Sequence, residues 1–123
     1  MPSIRAIRGA TQVDADTPAM IAEATTELLR AMLADNRLMD GALVSATFTC
    51  TTDLRSAFPA EAARALGWGD VPMLCMQELD VVGALPRCIR VLLYAEVFPV
   101  PRRDVRHVYL RGARALRPDL GND

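Results

Sequence analysis

The twelve-residue run Arg87–Phe98 constrains this chain more than any other segment. Its alternate positions Ile89, Val91, Leu93, Ala95 and Val97 are all apolar, and a period of two places them on one face of an extended strand. The intervening positions Arg90, Leu92, Tyr94 and Glu96 are mixed, so the opposite face is partly apolar yet carries charge. Such a strand belongs inside a sheet, with one face against the core and the other meeting a second surface. Shorter extended segments accompany it: Ser3–Val13, Ala42–Thr52, Val71–Leu79 and Arg106–Leu110. Pro72 stands near a strand start, where a missing N–H is tolerated.

Two helices separate these strands. Thr17 is a favourable N-cap and Pro18 suits the first helical position, after which Ile21, Ala24, Leu28, Ala31 and Met32 recur at helical spacing until Asp35-Asn36. A second, short helix spans Pro59–Leu66, with Ala62, Ala65 and Leu66 turned inward and Glu61 and Arg64 outward. The order β-α-β-α-β-β-β defines a single α/β domain over residues 1–123 with a mixed sheet, and 112–123 form an arginine-bearing tail. Two helices cover only one face of such a sheet. The other face, with Leu92 and Tyr94 beside charged groups, calls for a neighbouring subunit, so a homo-oligomer is expected.

Composition narrows the chemistry. A net charge of −1 removes the broad basic footprint of nucleic-acid binding. All 14 basic residues are arginine, which excludes lysine Schiff-base chemistry and leaves bidentate guanidinium groups as the permanent cations. The three cysteines, Cys50, Cys75 and Cys88, have no C-x-x-C spacing, which points to a reducing compartment and places the chain in the cytoplasm. No stretch approaches the roughly 18 apolar residues of a membrane span, and Arg5 and Arg8 interrupt the N-terminal apolar run. With one histidine, His107, and scattered cysteines, no metal-ligand spacing is present.

Arg90 lies mid-strand among apolar residues, so its guanidinium needs either a fixed carboxylate or an anionic ligand. Glu78, at the end of the preceding strand, is the nearest candidate partner. Arg8, at the end of the first strand and beside Gly9, where a ligand can approach the backbone, is a second embedded cation or an exposed edge arginine. Tyr109 offers a phenol as donor or fills a core edge. Cys75 is a nucleophile only with an activating base and otherwise a small core residue. The surviving set of arginines, one glutamate and a tyrosine describes an anion-binding pocket. A reaction there would rely on charge placement and substrate restraint rather than proton transfer.

Several strings extend this picture: Ile7-Arg8-Gly9-Ala10-Thr11, Phe58-Pro59-Ala60, Val71-Pro72 followed by Cys75-Met76-Gln77-Glu78, Cys88-Ile89-Arg90-Val91, Arg106-His107-Val108-Tyr109-Leu110 and Leu116-Arg117-Pro118-Asp119-Leu120. Taken in order from about residue 4 to residue 120, they resemble the monofunctional chorismate mutases of the Bacillus type, the trimeric α/β class. The resemblance implies a pseudo-barrel homotrimer with interfacial active sites and a Claisen rearrangement of chorismate to prephenate, in aromatic amino-acid biosynthesis, with no cofactor. It implies that Arg90 donates to the ether oxygen and to a carboxylate, that Arg8 and Tyr109 hold a carboxylate, and that Glu78 meets the substrate hydroxyl and positions Arg90, with Cys75 beside it. It implies further that Phe58, Ala60, Arg64, Met73 and Leu74 form a wall supplied by the adjacent subunit, and that Leu116 and Arg117 close over the pocket. Glu61 departs from the pattern by placing an acid at the pocket rim where the family carries a lysine. The competing expectations are a non-catalytic trimer that binds a carboxylate metabolite and an imine-deaminase-like trimer.

Overall fold

β4, Cys88–Val97, is the central strand of a five-stranded sheet. The computed structural model describes residues 3–39, 41–97 and 99–117. β1, Ser3–Gln12, and β2, Leu43–Cys50, flank β4 and run antiparallel to it. Outside them, β3, Met73–Gln77, pairs parallel with β2, and β5, Val108–Tyr109, pairs parallel with β1. The sheet is therefore mixed, with the order β3-β2-β4-β1-β5. The expected element order holds, with two short 3-10 turns, Arg102–Asp104 and Arg111–Leu116, added near the end.

Helix α1, Pro18–Asp35, begins where the cap chemistry requires: the Thr17 hydroxyl accepts the Met20 N–H at 3.1 Å. Its inner stripe, Ile21, Ala24, Thr25, Leu28, Leu29 and Met32, is buried against the β4 face carrying Ile89, Val91, Leu93 and Ala95. Helix α2, Ala60–Ala65, buries Ala60, Ala62 and Ala63. Ala65, expected inside, is exposed, because the chain folds back through the Trp68 N–H to Ala63 O bond and the indole packs on the Ala63 side instead. Both helices lie on one face of the sheet. On the other, Ile4, Leu74, Met76 and Tyr94 are 52%, 65%, 50% and 40% exposed, a large apolar surface that the described residues leave uncovered.

The strands are shorter than their sequence patterns because each ends where its ladder partner is lost. β2 stops at Cys50, since the Thr51 hydroxyl turns to Asp53 at 2.5 Å and receives the Cys88 N–H at 2.9 Å. Val71 and Pro72 stay outside β3, with Val71 held in a turn to Trp68 O. β5 loses Arg106 and His107, because the His107 ring rather than its backbone receives the Arg8 N–H. Phe98 and the string Pro118-Asp119-Leu120 lie outside the described residues.

Two placements on β1 correct the sequence reading. Arg8 sits inside β1, opposite Leu92, rather than at its end. Gly9 serves the core rather than a ligand: a β-carbon there would lie 2.4 Å from Met32 Sδ and 3.1 Å from Leu28 Cδ1, so its absence is what lets α1 seat on the sheet.

Candidate active site

Register brings the predicted chemistry together on the face that neither α1 nor α2 covers. Across the sheet, Met76, Thr49, Arg90, Ala10 and Tyr109 form one row on five successive strands. With strands roughly 4.8 Å apart, Tyr109 stands about 10 Å from Arg90, separated only by the small side chain of Ala10. Arg8 lies one register step away on the same face, a diagonal neighbour of Arg90 at roughly 7–8 Å. Two guanidinium groups and a phenol thus share one face of the sheet, with Ala10 buried between them beneath Ala113 and Leu116.

Arg90 and Glu78 meet as expected: Arg90 Nε lies 3.4 Å from Glu78 Oε1, with side chains 45% and 27% exposed. The same carboxylate oxygen receives the Thr49 hydroxyl at 2.6 Å. Glu78 follows β3 directly and is fixed by its backbone, whose N–H donates to Cys50 O at 2.8 Å. Thr49 was not visible as a site residue, because a threonine in a strand reads as simple β propensity; its parity with Arg90 emerges only once β2 is paired to β4.

Tyr109 is buried, packed with Ala10 and Ala113 and against Leu85 and Leu116, so its ring belongs to a small core cluster. Behind it the turn Arg111–Leu116 is anchored to α1: Arg111 Nε lies 3.2 Å from Glu27 Oε1, and Nη2 lies 3.6 Å from Glu23 Oε1. That anchoring brings Leu116 to the Tyr109 cluster, while Arg117 follows half-buried. His107, set aside by the sequence reading as a metal ligand, accepts the Arg8 backbone N–H at its Nδ1, 3.0 Å away. Burial, with the Arg8 and Arg117 cations, holds this imidazole below its ordinary pKa and keeps it neutral, as an acceptor must be.

The residues assigned to a wall are not brought together within one chain, and of them only Phe58 lines a cavity. Phe58, Cys75 and Glu61 line a cavity of about 440 Å³ with Cys50, Pro59 and Met76. Asp16 shapes the approach to Phe58 by accepting the Arg55 and Ser56 N–H groups and the Ser56 hydroxyl, which together hold its carboxyl below the usual range, the hydroxyl most strongly. Cys75 pairs with Phe48 in register, so it belongs to the opposite face from Thr49 and Arg90 and is not beside Glu78 there. Ala60 is buried in the core, Met73 is half-buried, and Arg64 is exposed on α2, whereas Leu74 stands 65% exposed on the Arg90 face. A larger cavity of about 730 Å³ lies among Arg5, Ile7, Leu38, Val97 and Val105, and none of the predicted site residues lines it.

Two of the three thiols are closed to nucleophilic chemistry. Burial pushes the Cys50 thiol up to about 12 and raises that of Cys88, so both stay protonated and inert at neutral pH. Among the described residues, no group of three or more His, Cys, Asp or Glu side chains converges on a common point for a metal. No helix among them is long and apolar enough to cross a membrane.

Comparison with known proteins converges on one family. The family model for chorismate mutase type I matches residues 4–120. The chain is 52% identical to the chorismate mutase AroH of Thermus thermophilus over 118 residues, covering 95% of this chain and 96% of that protein. It is 45% identical to the chorismate mutase AroH of Bacillus subtilis over 118 residues, covering 95% and 92%. The solved chorismate mutase from Clostridium thermocellum superposes with a TM-score of 0.86 at 44% identity, over 89% of this chain and 97% of that one.

Proposed function

The chain belongs to the chorismate mutase type I family, and from that premise we propose that it rearranges chorismate to prephenate on the sheet face carrying Arg90, Arg8 and Tyr109. The reaction breaks a C–O bond as a C–C bond forms within one molecule, so it requires neither a cofactor nor a proton carrier. What it requires is a donor to the ether oxygen as negative charge gathers there, and a substrate held in its reactive conformation. Arg90 supplies the donor, and its guanidinium fork also reaches a carboxylate. Arg8 and Tyr109, on the far side of Ala10, hold a carboxylate of the dianionic substrate. Glu78 receives the substrate hydroxyl and steadies Arg90.

The same proposal extends to assembly and setting. Three copies form a pseudo-barrel homotrimer that covers the exposed surface around Leu74, Met76 and Tyr94. Each copy lends Phe58, Arg64 and Leu74 to a neighbour's site, and Leu116 with Arg117 closes over it. The whole of residues 1–123 acts as one domain, in the cytoplasm. The exposed apolar face opposite the helices supports this arrangement.

The observation carrying the functional reading is the Arg90–Glu78 pair set in one row with Ala10 and Tyr109. Purified protein incubated with chorismate is expected to consume its ultraviolet absorbance and yield prephenate in the absence of any metal or nucleotide. Chorismate left intact at micromolar enzyme refutes the reading, and turnover of an amino-acid-derived imine instead would reassign the pocket.

A further inference from the structure

Resting on the roles given to Arg90 and Glu78 above, we infer that Thr49 is a positioning residue of the reaction, whose hydroxyl fixes which oxygen of Glu78 faces Arg90 and which faces the substrate. Thr49 stands directly opposite Arg90 in the β2–β4 register, so the two project from the same face of the sheet. Its hydroxyl donates to Glu78 Oε1 at 2.6 Å, the short end of the O–H···O⁻ range. The Arg90 Nε contact to the same oxygen is 3.4 Å, longer than a charge-assisted N–H···O bond. The threonine, rather than the arginine, therefore makes the tighter bond to the carboxylate.

Geometry turns that bond into an orientation. The Glu78 backbone is tied to Cys50 O, and its Oε1 is engaged by Thr49 and Arg90, so the plane of the carboxylate is defined from two directions. A carboxylate has about four acceptor positions. With two drawn to Oε1, Oε2 keeps its own acceptor positions for a ligand hydroxyl. Threonine suits the task because branching at Cβ stiffens χ1, so the donor direction is set by the strand itself. The hydroxyl spends its single proton on Glu78 and takes no part in acid–base chemistry.

The test is a double-mutant cycle in the full-length protein, with chorismate turnover as the assay and melting curves as the check on folding. Thr49→Val preserves branching and removes the donor; it is expected to lower kcat about tenfold to a hundredfold, the range for losing a hydrogen bond to a charged group. Thr49→Ser, which restores the hydroxyl, is expected to recover kcat to within about threefold of the wild type. In a Glu78→Gln background, Thr49→Val is expected to cost little more, since the carboxylate it orients is gone. Should the valine variant melt below the assay temperature, Thr49→Ala gives the same comparison. Wild-type kcat in Thr49→Val, or a loss that multiplies fully with that of Glu78→Gln, overturns the proposal while leaving the role of Glu78 intact. Wild-type turnover in Glu78→Gln alone overturns the role of Glu78 itself, and this proposal with it.

Discussion

Replacing Arg90 separates catalysis from stability, because the fold holds this side chain half in solvent. The guanidinium is 45% exposed and its contact with Glu78 is 3.4 Å, so the ion pair belongs to the weak, solvent-screened kind, worth roughly 0.2–1 kcal/mol. Its loss lowers the melting temperature of a domain this size by no more than about 4 °C. Against the barrier the same group counts for far more, since removing one donor to a developing oxyanion costs about 3–4 kcal/mol, or a factor of 10²–10³ in kcat. Arg90→Ala is therefore expected to fold with a near-native melting temperature and to lose at least about a hundredfold in kcat. Arg90→Lys keeps the charge but presents a single ammonium in place of a planar fork, and it is expected to recover little. Chorismate consumption measured beside thermal unfolding decides the matter. If Arg90→Ala turns over within tenfold of the wild type, or loses activity only in step with unfolding, Arg90 is not the donor to the ether oxygen.

Three further expectations test the frame that holds the site. Gly9→Ala gains up to about 1 kcal/mol of backbone preference but overpacks Met32 at a cost of about 1–3 kcal/mol, so urea unfolding should show a lower midpoint; an unchanged midpoint contradicts the packing role of Gly9. The Thr25 hydroxyl is fully buried with no hydrogen-bond partner among the described residues, so Thr25→Val should raise stability by about 1 kcal/mol, and a lower melting temperature would show the hydroxyl to be satisfied in solution. His107 is held neutral in the fold, below its ordinary 6.5, so the unfolded chain takes up its proton first as pH falls. Its contribution to stability is complete above about pH 6.5 and is lost progressively below it, while kcat should vary little across neutral pH because the rearrangement moves no proton. His107→Asn, which keeps an acceptor for the Arg8 N–H, should flatten the loss of stability between pH 6.5 and 5; equal slopes in the two proteins would remove His107 as its cause.

Much of this architecture is legible in residue patterns, and its illegible parts share a cause. The alternation along Cys88–Val97 and the Thr17-Pro18 helix start depend on local chemistry, so they can be read directly. The pairing of Arg90 with Glu78 follows from the cost of an unpartnered guanidinium in an apolar strand. By contrast, Gly9 is small because Met32 arrives from another element, and the inward side of α2 is set by Trp68 rather than by the six residues of the helix. Cys75 and Thr49 acquire their faces only through the pairing of β3 with β2 and of β2 with β4. A shift of one residue in either register would exchange them.

The division of labour along β4 explains how an arginine-based site coexists with a marginally stable fold. Ile89, Val91, Leu93 and Ala95 are buried against the helices and supply the core. Arg90 occupies the other parity, so the chain can fold before that guanidinium has to leave water, and the desolvation that strengthens its field is deferred until a ligand or neighbour covers its face of the sheet. A helix on that face would have reversed the order and required a permanent buried counter-ion, which would neutralise the donor proposed for the reaction. Glu78 avoids this outcome by standing at the strand end, held mainly by Thr49 at 2.6 Å and only loosely by Arg90 at 3.4 Å, so the guanidinium keeps donors for the substrate. Substitutions at Leu92 and Tyr94, which share the parity of Arg90, should therefore weaken assembly and turnover before they weaken the fold of a single chain, whereas Val91→Ala and Leu93→Ala should do the reverse, at about 2–5 kcal/mol for the leucine.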